Sequence, residues 1–331
     1  MNFIAATIRA AERAPLPDAM TRAGIGWLVA RLSRQLAAAA VADGTFAREM
    51  ASWWIAEHPQ AANAQHYELP AAFFPCVLGP TKKYSCYFYE DSAKTLGEAE
   101  ISALEATARR ADLRDGQRIL ELGCGWGSLS LFMAGRYPSA RIIAVSNSAP
   151  QHAYIEGEVV TADMNSFATQ DRFDRIVSVF ERISNWRALL ARVRSWLASK
   201  GALFVHIFRH RTGSYRFDRA DRSDWIAQHF FTGGAMPSHG LIRQFPDLFA
   251  VEQEWRWNGV NYERTVLDWR ANLDARQDEI AFILREIYGA QARLWRRRWR
   301  LFFLATAGLF GDNAGAEWGV SHYRLRLTLD A

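Results

Sequence analysis

The seven residues Glu121-Leu122-Gly123-Cys124-Gly125-Trp126-Gly127 constrain this chain more than any other segment. They close a short apolar run, Arg118 to Leu122, and open a helical pattern, so three glycines fall where a strand must turn sharply into a helix. Glycine accepts positive φ and lets backbone amides approach a ligand closely, and turns of this kind receive nucleotide-like cofactors. A tight connection without a ligand is the plain alternative. The acid at the head of the loop and the strand-to-helix context favour the cofactor.

Which cofactor follows from spacing. Dinucleotide enzymes need G-x-G-x-x-G, whereas here the third glycine comes one residue early and Ser128 takes its usual place. The next strand ends in Ser146-Asn147, without the acid that holds a dinucleotide's ribose. Both departures favour S-adenosylmethionine over NAD. Asp163, ending the third strand, is the natural acceptor for an adenine amino group, with Met164 beside it to pack on the ring. By itself such an Asp caps a helix as readily as it binds a ligand.

Around the loop, short apolar runs alternate with helical segments. Arg118 to Leu122, Arg141 to Ser146, Val159 to Ala162, Arg175 to Val179 and Ala202 to Phe208 read as strands buried on both faces. The expected fold is α/β, a doubly wound, mostly parallel sheet of Rossmann-like type. Three regions follow: a helical N-terminal segment with a Tyr-rich loop (1–92), the cofactor-binding domain (93–210) and a cap (211–331). The cap pattern predicts aromatic-rich loops, helices at about Val266 to Tyr288 and Gln291 to Leu309, and a returning strand over Tyr323 to Leu329.

Composition narrows the class further. Half of the 331 residues are apolar and 23% are charged, which suits a folded domain with a sizeable core and excludes a disordered or fibrous chain. The net charge of +5 does not select a partner. Three cysteines, Cys76, Cys86 and Cys124, are too few and too unevenly placed for a disulfide framework or zinc pattern, so a cytoplasmic location is expected. Met1 to Ala14 lacks the features of a signal peptide, and Leu301 to Phe310 is about half the length of a membrane-spanning helix. Oligomeric state is left open by the sequence.

Beyond the loop, Tyr84-Ser85-Cys86-Tyr87-Phe88, Ser146-Asn147-Ser148 and Phe230 to Ser238 resemble the cyclopropane-fatty-acid-synthase superfamily of class I S-adenosylmethionine-dependent methyltransferases. Asp224-Trp225-Ile226, Trp299-Arg300 with Phe302-Phe303, and Glu317-Trp318 with Ser321-His322 bring it nearer the coclaurine N-methyltransferase-like branch. The resemblance implies cofactor contacts at Tyr84, Ser85, Gly123, Gly125, Asn147, Gln151, Asp163, Met164 and Val179. It also implies methylation of a small amine or, alternatively, modification of an unsaturated lipid acyl chain. A catalytically impaired cofactor-binding relative is a third reading.

Two departures from that pattern matter. The connection from Ser146 to Val159 is about three helical turns shorter than the family's. It predicts exposure of Ile143 and Val145 unless another element covers them. After the fourth strand the chain reads Phe180-Glu181-Arg182 where relatives carry two glutamates and a histidine. That leaves Glu181 as the candidate catalytic residue, since a guanidinium cannot take a proton at neutral pH.

Trp225, Phe230 and Phe231 are the candidate substrate wall, where aromatic faces would hold a flat or cationic amine. The basic run Arg293 to Arg300, interleaved with Trp295 and Trp299, fits either peripheral contact with lipid headgroups or an amphipathic cap helix. No nucleic-acid module accompanies it. His206 and His210 are spaced i, i+4 but fall in and after a strand, where that spacing does not converge on a metal, so no metal is expected.

Overall fold

The computed structural model describes residues 3–14, 16–38, 41–57, 69–89, 94–155, 159–179 and 183–328. The N-terminal region forms α1 (Phe3–Arg13), α2 (Asp18–Ala38), α3 (Asp43–Met50) and the short α4 (Phe73–Val77). The sheet domain then runs α5 (Leu96–Arg110), β1 (Arg118–Leu122), α6 (Ser128–Arg136), β2 (Arg141–Ser146), α7 (Ala149–Tyr154), β3 (Val159–Thr161), β4 (Phe173–Val179), α8 (Trp186–Trp196) and β5 (Leu197–His210). After it come a small ribbon, β6 (Tyr215–Arg216) and β7 (Ala235–Met236), separated by α9 (Trp225–His229), and then β8 (Phe249–Asn258). Helices α10 (Val260–Ala275), α11 (Gln277–Tyr288) and α12 (Ala292–Phe310) precede β9 (Trp318–Leu327).

Seven strands make one sheet in the order β3-β2-β1-β4-β5-β9-β8. The first five are parallel, and β9 and β8 join antiparallel. This is the class I methyltransferase arrangement. The chain order reverses between β1 and β4, and in open α/β sheets the crevice beyond the carboxyl ends of the strands at such a switch point receives ligands.

Alternate residues of each strand face opposite layers. Leu120, Leu122, Ile143, Val145, Ile176, Leu203 and Val205 pack with Leu189, Leu190 and Val193 of α8 and with Phe46 and Met50 of α3. Ile119, Val177 and Phe204 pack with Leu104 and Ala108 of α5 and Leu129 and Met133 of α6. A capping box fixes where α5 starts: Thr95 accepts from the Glu98 amide, and the Glu98 carboxylate accepts from the Thr95 amide.

The short crossover does not uncover the sheet as expected. Ile143 and Val145 are 6% and 0% exposed. Their side chains face the α8 and α3 layer, and α3 comes from the N-terminal region, so the cover depends on a segment distant in sequence. Two expectations for the cap also change. The helix expected over Val266 to Tyr288 is two helices meeting at Arg276, and the loops after Arg211 include the ten-residue strand β8. Its burial pattern alternates only weakly because it is the sheet's outer edge.

The third core is largely aromatic. Phe230 stacks on Phe302 with ring centroids 4.3 Å apart, and Trp299, fully buried, lies 5.1 Å from Phe73 and from Phe230. It joins α12 to the segment preceding the Tyr-rich loop.

The cofactor cleft

The glycine loop has the conformation its composition allows. Gly123, Gly125 and Gly127 lie at φ of 79°, 56° and 78°. The amides of Gly123 and Cys124 donate to the Val145 carbonyl at 2.9 and 3.1 Å, tying the turn to the end of β2. A Cβ on Gly125 would meet no protein atom within 4 Å. That open space belongs to a cleft over the carboxyl ends of β1, β2 and β4.

Tyr84, Ser85, Gly123, Gly125, Asn147, Gln151, Asp163, Met164 and Val179 all line this one cleft. The site is also walled by residues to which sequence reasoning gave no role, among them Lys83, Trp126 and His206.

The Tyr-rich loop is held by a buried carboxylate. Glu100 of α5 is fully buried and accepts from the Thr81 amide at 2.9 Å, the Lys83 amide at 2.8 Å and the Tyr87 hydroxyl at 2.9 Å. A buried carboxylate must find donors, and these fix the loop from 81 to 87, which carries Tyr84 and Ser85. Lys83 Nζ donates to Ser85 Oγ and to the Cys86 carbonyl, the latter at 2.8 Å. No periodicity signals Glu100; its partners appear only when the loop folds over α5.

Asp163 Oδ1 accepts from the Asn165 backbone and side-chain amides at 2.8 and 3.0 Å. Asn165 in turn exchanges two hydrogen bonds with the backbone of Ala56, at 2.9 and 3.1 Å. This single acid therefore also anchors the N-terminal segment at the cleft wall. Gln151 is buried, and its Oε1 accepts from Ser146 Oγ at 2.7 Å. Its Nε2 has no hydrogen-bond partner among the described residues, a donor left for a ligand. Glu121 also reaches the cleft; burial pushes its carboxyl up to about 7, against the lowering effect of the Ser130 hydroxyl, 2.5 Å away.

These features suit a nucleoside cofactor: a glycine turn with space where a Cβ would stand, an orphaned buried amide, and an acid in the same cleft. Glu181 and its neighbour Arg182 fall outside the described residues. The residues on either side of that segment, Val179 and Ile183, line the cleft.

Trp225, Phe230 and Phe231 do not line it. Phe230 is buried in the aromatic core, and Trp225 donates its indole N–H to Glu12 at 3.1 Å. Phe231 is half-buried, packed against Phe208, Phe217 and Phe302. The basic run is largely occupied within the chain. Arg298 pairs with the buried Glu12, Arg300 with Asp18 and Asp274, and Arg296 and Arg297 bond to Gln277 and to the Arg13 carbonyl. Among the described residues no group of three or more His, Cys, Asp and Glu could hold a metal, and no helix is long and apolar enough to cross a membrane.

Comparison with known proteins agrees with this geometry. The mycolic acid cyclopropane synthetase family matches residues 56–315. (S)-Coclaurine N-methyltransferase of Thalictrum flavum subsp. glaucum is 35% identical over 81% of this chain and 79% of its own. The cyclopropane-fatty-acyl-phospholipid synthase of Escherichia coli is 30% identical over 77% of this chain and 66% of its own. A crystal structure of coclaurine N-methyltransferase bound to N-methylheliamine and SAH superposes with a TM-score of 0.89 at 30% identity, covering 97% of this chain and 98% of that one. A cyclopropane synthase of Mycobacterium tuberculosis, 22% identical over 82% of this chain and 99% of that one, shares the fold at a TM-score of 0.66. With a family match across most of its length and this cleft at the sheet's switch point, the chain belongs to the cyclopropane synthase family of S-adenosylmethionine-dependent methyltransferases.

Proposed function

We propose that this chain methylates a secondary or tertiary amine on a small, largely apolar molecule. The observation that carries the reading is the full-length likeness to an amine methyltransferase, at a TM-score of 0.89 and 98% coverage of that chain. In this reading residues 93–210 hold the cofactor, while 1–92 and 211–331 enclose the acceptor. Asp163 receives the adenine amino group with Met164 against the ring. Gln151 and Asn147 donate toward the ribose, and Tyr84, Ser85, Gly123, Gly125 and Val179 line the rest of the cofactor's path.

Bound there, the cofactor supplies an electrophilic methyl group on a sulfonium. The protein's task is to align the amine lone pair with that methyl and to exclude water. Glu181 is assigned to hold the amine, because the chain on both sides of it lines the cleft. Phe231 and Trp225, half-buried at the cap, are assigned to the acceptor wall, and Phe230 supports them from the core. Cys76, Cys86 and Cys124 are buried and form no disulfide, which suits a reducing, cytoplasmic compartment.

Calorimetric titration with S-adenosylhomocysteine, followed by a mass-based methyl-transfer screen, tests the reading. Turnover of benzylic or other small amines supports it. Turnover of unsaturated phospholipids alone, or binding without turnover of any acceptor, overturns it in favour of lipid modification or of an impaired relative.

A further inference from the structure

His206 stands on β5 beside Val179 of β4, with both residues in the cleft wall. It is 3% exposed, and its Nδ1 lies 2.7 Å from Nε2 of His322, a residue of β9 that is itself 1% exposed. Nδ1 of His322 lies 2.9 Å from Nη1 of Arg110, at the end of α5. The Arg110 guanidinium is in turn held among Phe88, Trp255 and Trp257, at 5.4 to 5.6 Å from each ring centroid. His206 Nε2, at the far end of this series, has no hydrogen-bond partner among the described residues.

The direction of the protons follows from chemistry. A guanidinium only donates, so His322 Nδ1 accepts. A neutral imidazole that accepts at Nδ1 carries its proton on Nε2, and this proton can go only to His206 Nδ1. His206 must then carry its own proton on Nε2. We propose that Arg110 and His322 are positioning residues that fix His206 as an Nε2–H donor to a ligand oxygen in the cleft, leaving it no lone pair there with which to act as a base.

Two further observations agree. Burial, reinforced by the nearby Lys83 and Arg110 cations, holds His206 well below the usual imidazole range; for His322, burial and then His206 and the same two cations do so, and both rings are neutral at pH 7. Lys83 donates to Ser85 Oγ, which leaves the Ser85 hydroxyl proton to point elsewhere. The His206 side of the cleft is therefore rich in donors, suited to a carboxylate or another oxygen acceptor. That oxygen belongs either to the amino-acid end of the cofactor or to the methyl acceptor.

The identity of that oxygen rests on the methyltransferase reading; the tautomer does not. Long-range proton–nitrogen correlation spectra of the histidine-labelled full chain at pH 7.5 should show His206 and His322 neutral, each with its proton on Nε2. His322→Gln should preserve this, because the amide oxygen accepts from Arg110 and the amide nitrogen donates to His206. His322→Leu should let the His206 tautomers mix. It should also lower S-adenosylhomocysteine affinity or amine kcat/KM by about tenfold, with His322→Gln within about threefold of the parent. A loss in affinity assigns the oxygen to the cofactor's carboxylate; a loss in kcat/KM alone assigns it to the acceptor. A parent His206 that is protonated, or that carries its proton on Nδ1, overturns the proposal whatever the activity, as does equal behaviour of the two variants. Failure to bind S-adenosylhomocysteine at all would instead count against the methyltransferase reading.

Discussion

A Cβ built on Gly127 would fall 2.7 Å from Cγ1 of Ile155, with Gly127 at φ 78°. Ile155 follows α7, so the short crossover between β2 and β3 packs directly on the last glycine of the cofactor loop. Gly127→Ala therefore meets two penalties, a left-handed backbone costing about 1–2 kcal/mol and a clash with a β-branched side chain. Urea denaturation should show a loss of about 2–4 kcal/mol. Adding Ile155→Ala should recover the clash but not the backbone cost; no recovery would refute the contact.

Asp163→Ala should weaken S-adenosylhomocysteine binding by about 1–3 kcal/mol, the cost of leaving a buried donor unmet. It should also loosen Asn165 and, through it, Ala56. Calorimetry reads the first effect. Hydrogen exchange around residue 56 reads the second, which a role in cofactor binding alone would not produce.

Glu121 titrates from about 7 in the fold against a reference of 4.5. An acid whose folded pKa is raised binds its proton more tightly in the native state, so its effect on stability is neutral below about 4.5 and increasingly unfavourable up to about 7. Wild-type stability should therefore fall across that window by up to about 3 kcal/mol relative to Glu121→Gln. Parallel urea curves at pH 5 and pH 8 check it; an equal pH dependence in both proteins would remove the effect.

Glu12 and Arg298 join the N-terminal helix to α12, with Glu12 almost fully buried. Burial raises the Glu12 carboxyl, but hydrogen bonds from Arg298 and Trp225 outweigh this and hold it below the usual range. Glu12→Ala leaves Arg298 without this partner and should destabilise the protein by about 3–5 kcal/mol. With so much of the basic run engaged, sedimentation with anionic vesicles at physiological salt should leave the parent in solution, whereas substantial co-sedimentation would support peripheral contact with lipid headgroups.

Glu181→Ala should lower the rate by about 10²-fold or more if this carboxylate holds the amine, with S-adenosylhomocysteine affinity little changed. Arg182→His should raise turnover. Single-turnover methyl transfer measures both; silence in both variants would deny the segment a catalytic role.

What the sequence determined by itself is local. β1 and β2 fall at the residues their apolar runs mark, because a strand buried on both faces has no other pattern available. The three glycines take positive φ because the turn demands it. Tertiary structure decided whatever depends on distant segments meeting. β8 reads poorly because only one side of this edge strand is paired, and the cover over Ile143 and Val145 includes helix α3, about a hundred residues earlier. Glu100 gains its role when the Tyr-rich loop folds across α5. His206 gains its orientation from Arg110 and His322, which are 212 residues apart. No periodicity encodes such pairs; the packed sheet and its covering helices bring them within hydrogen-bonding distance.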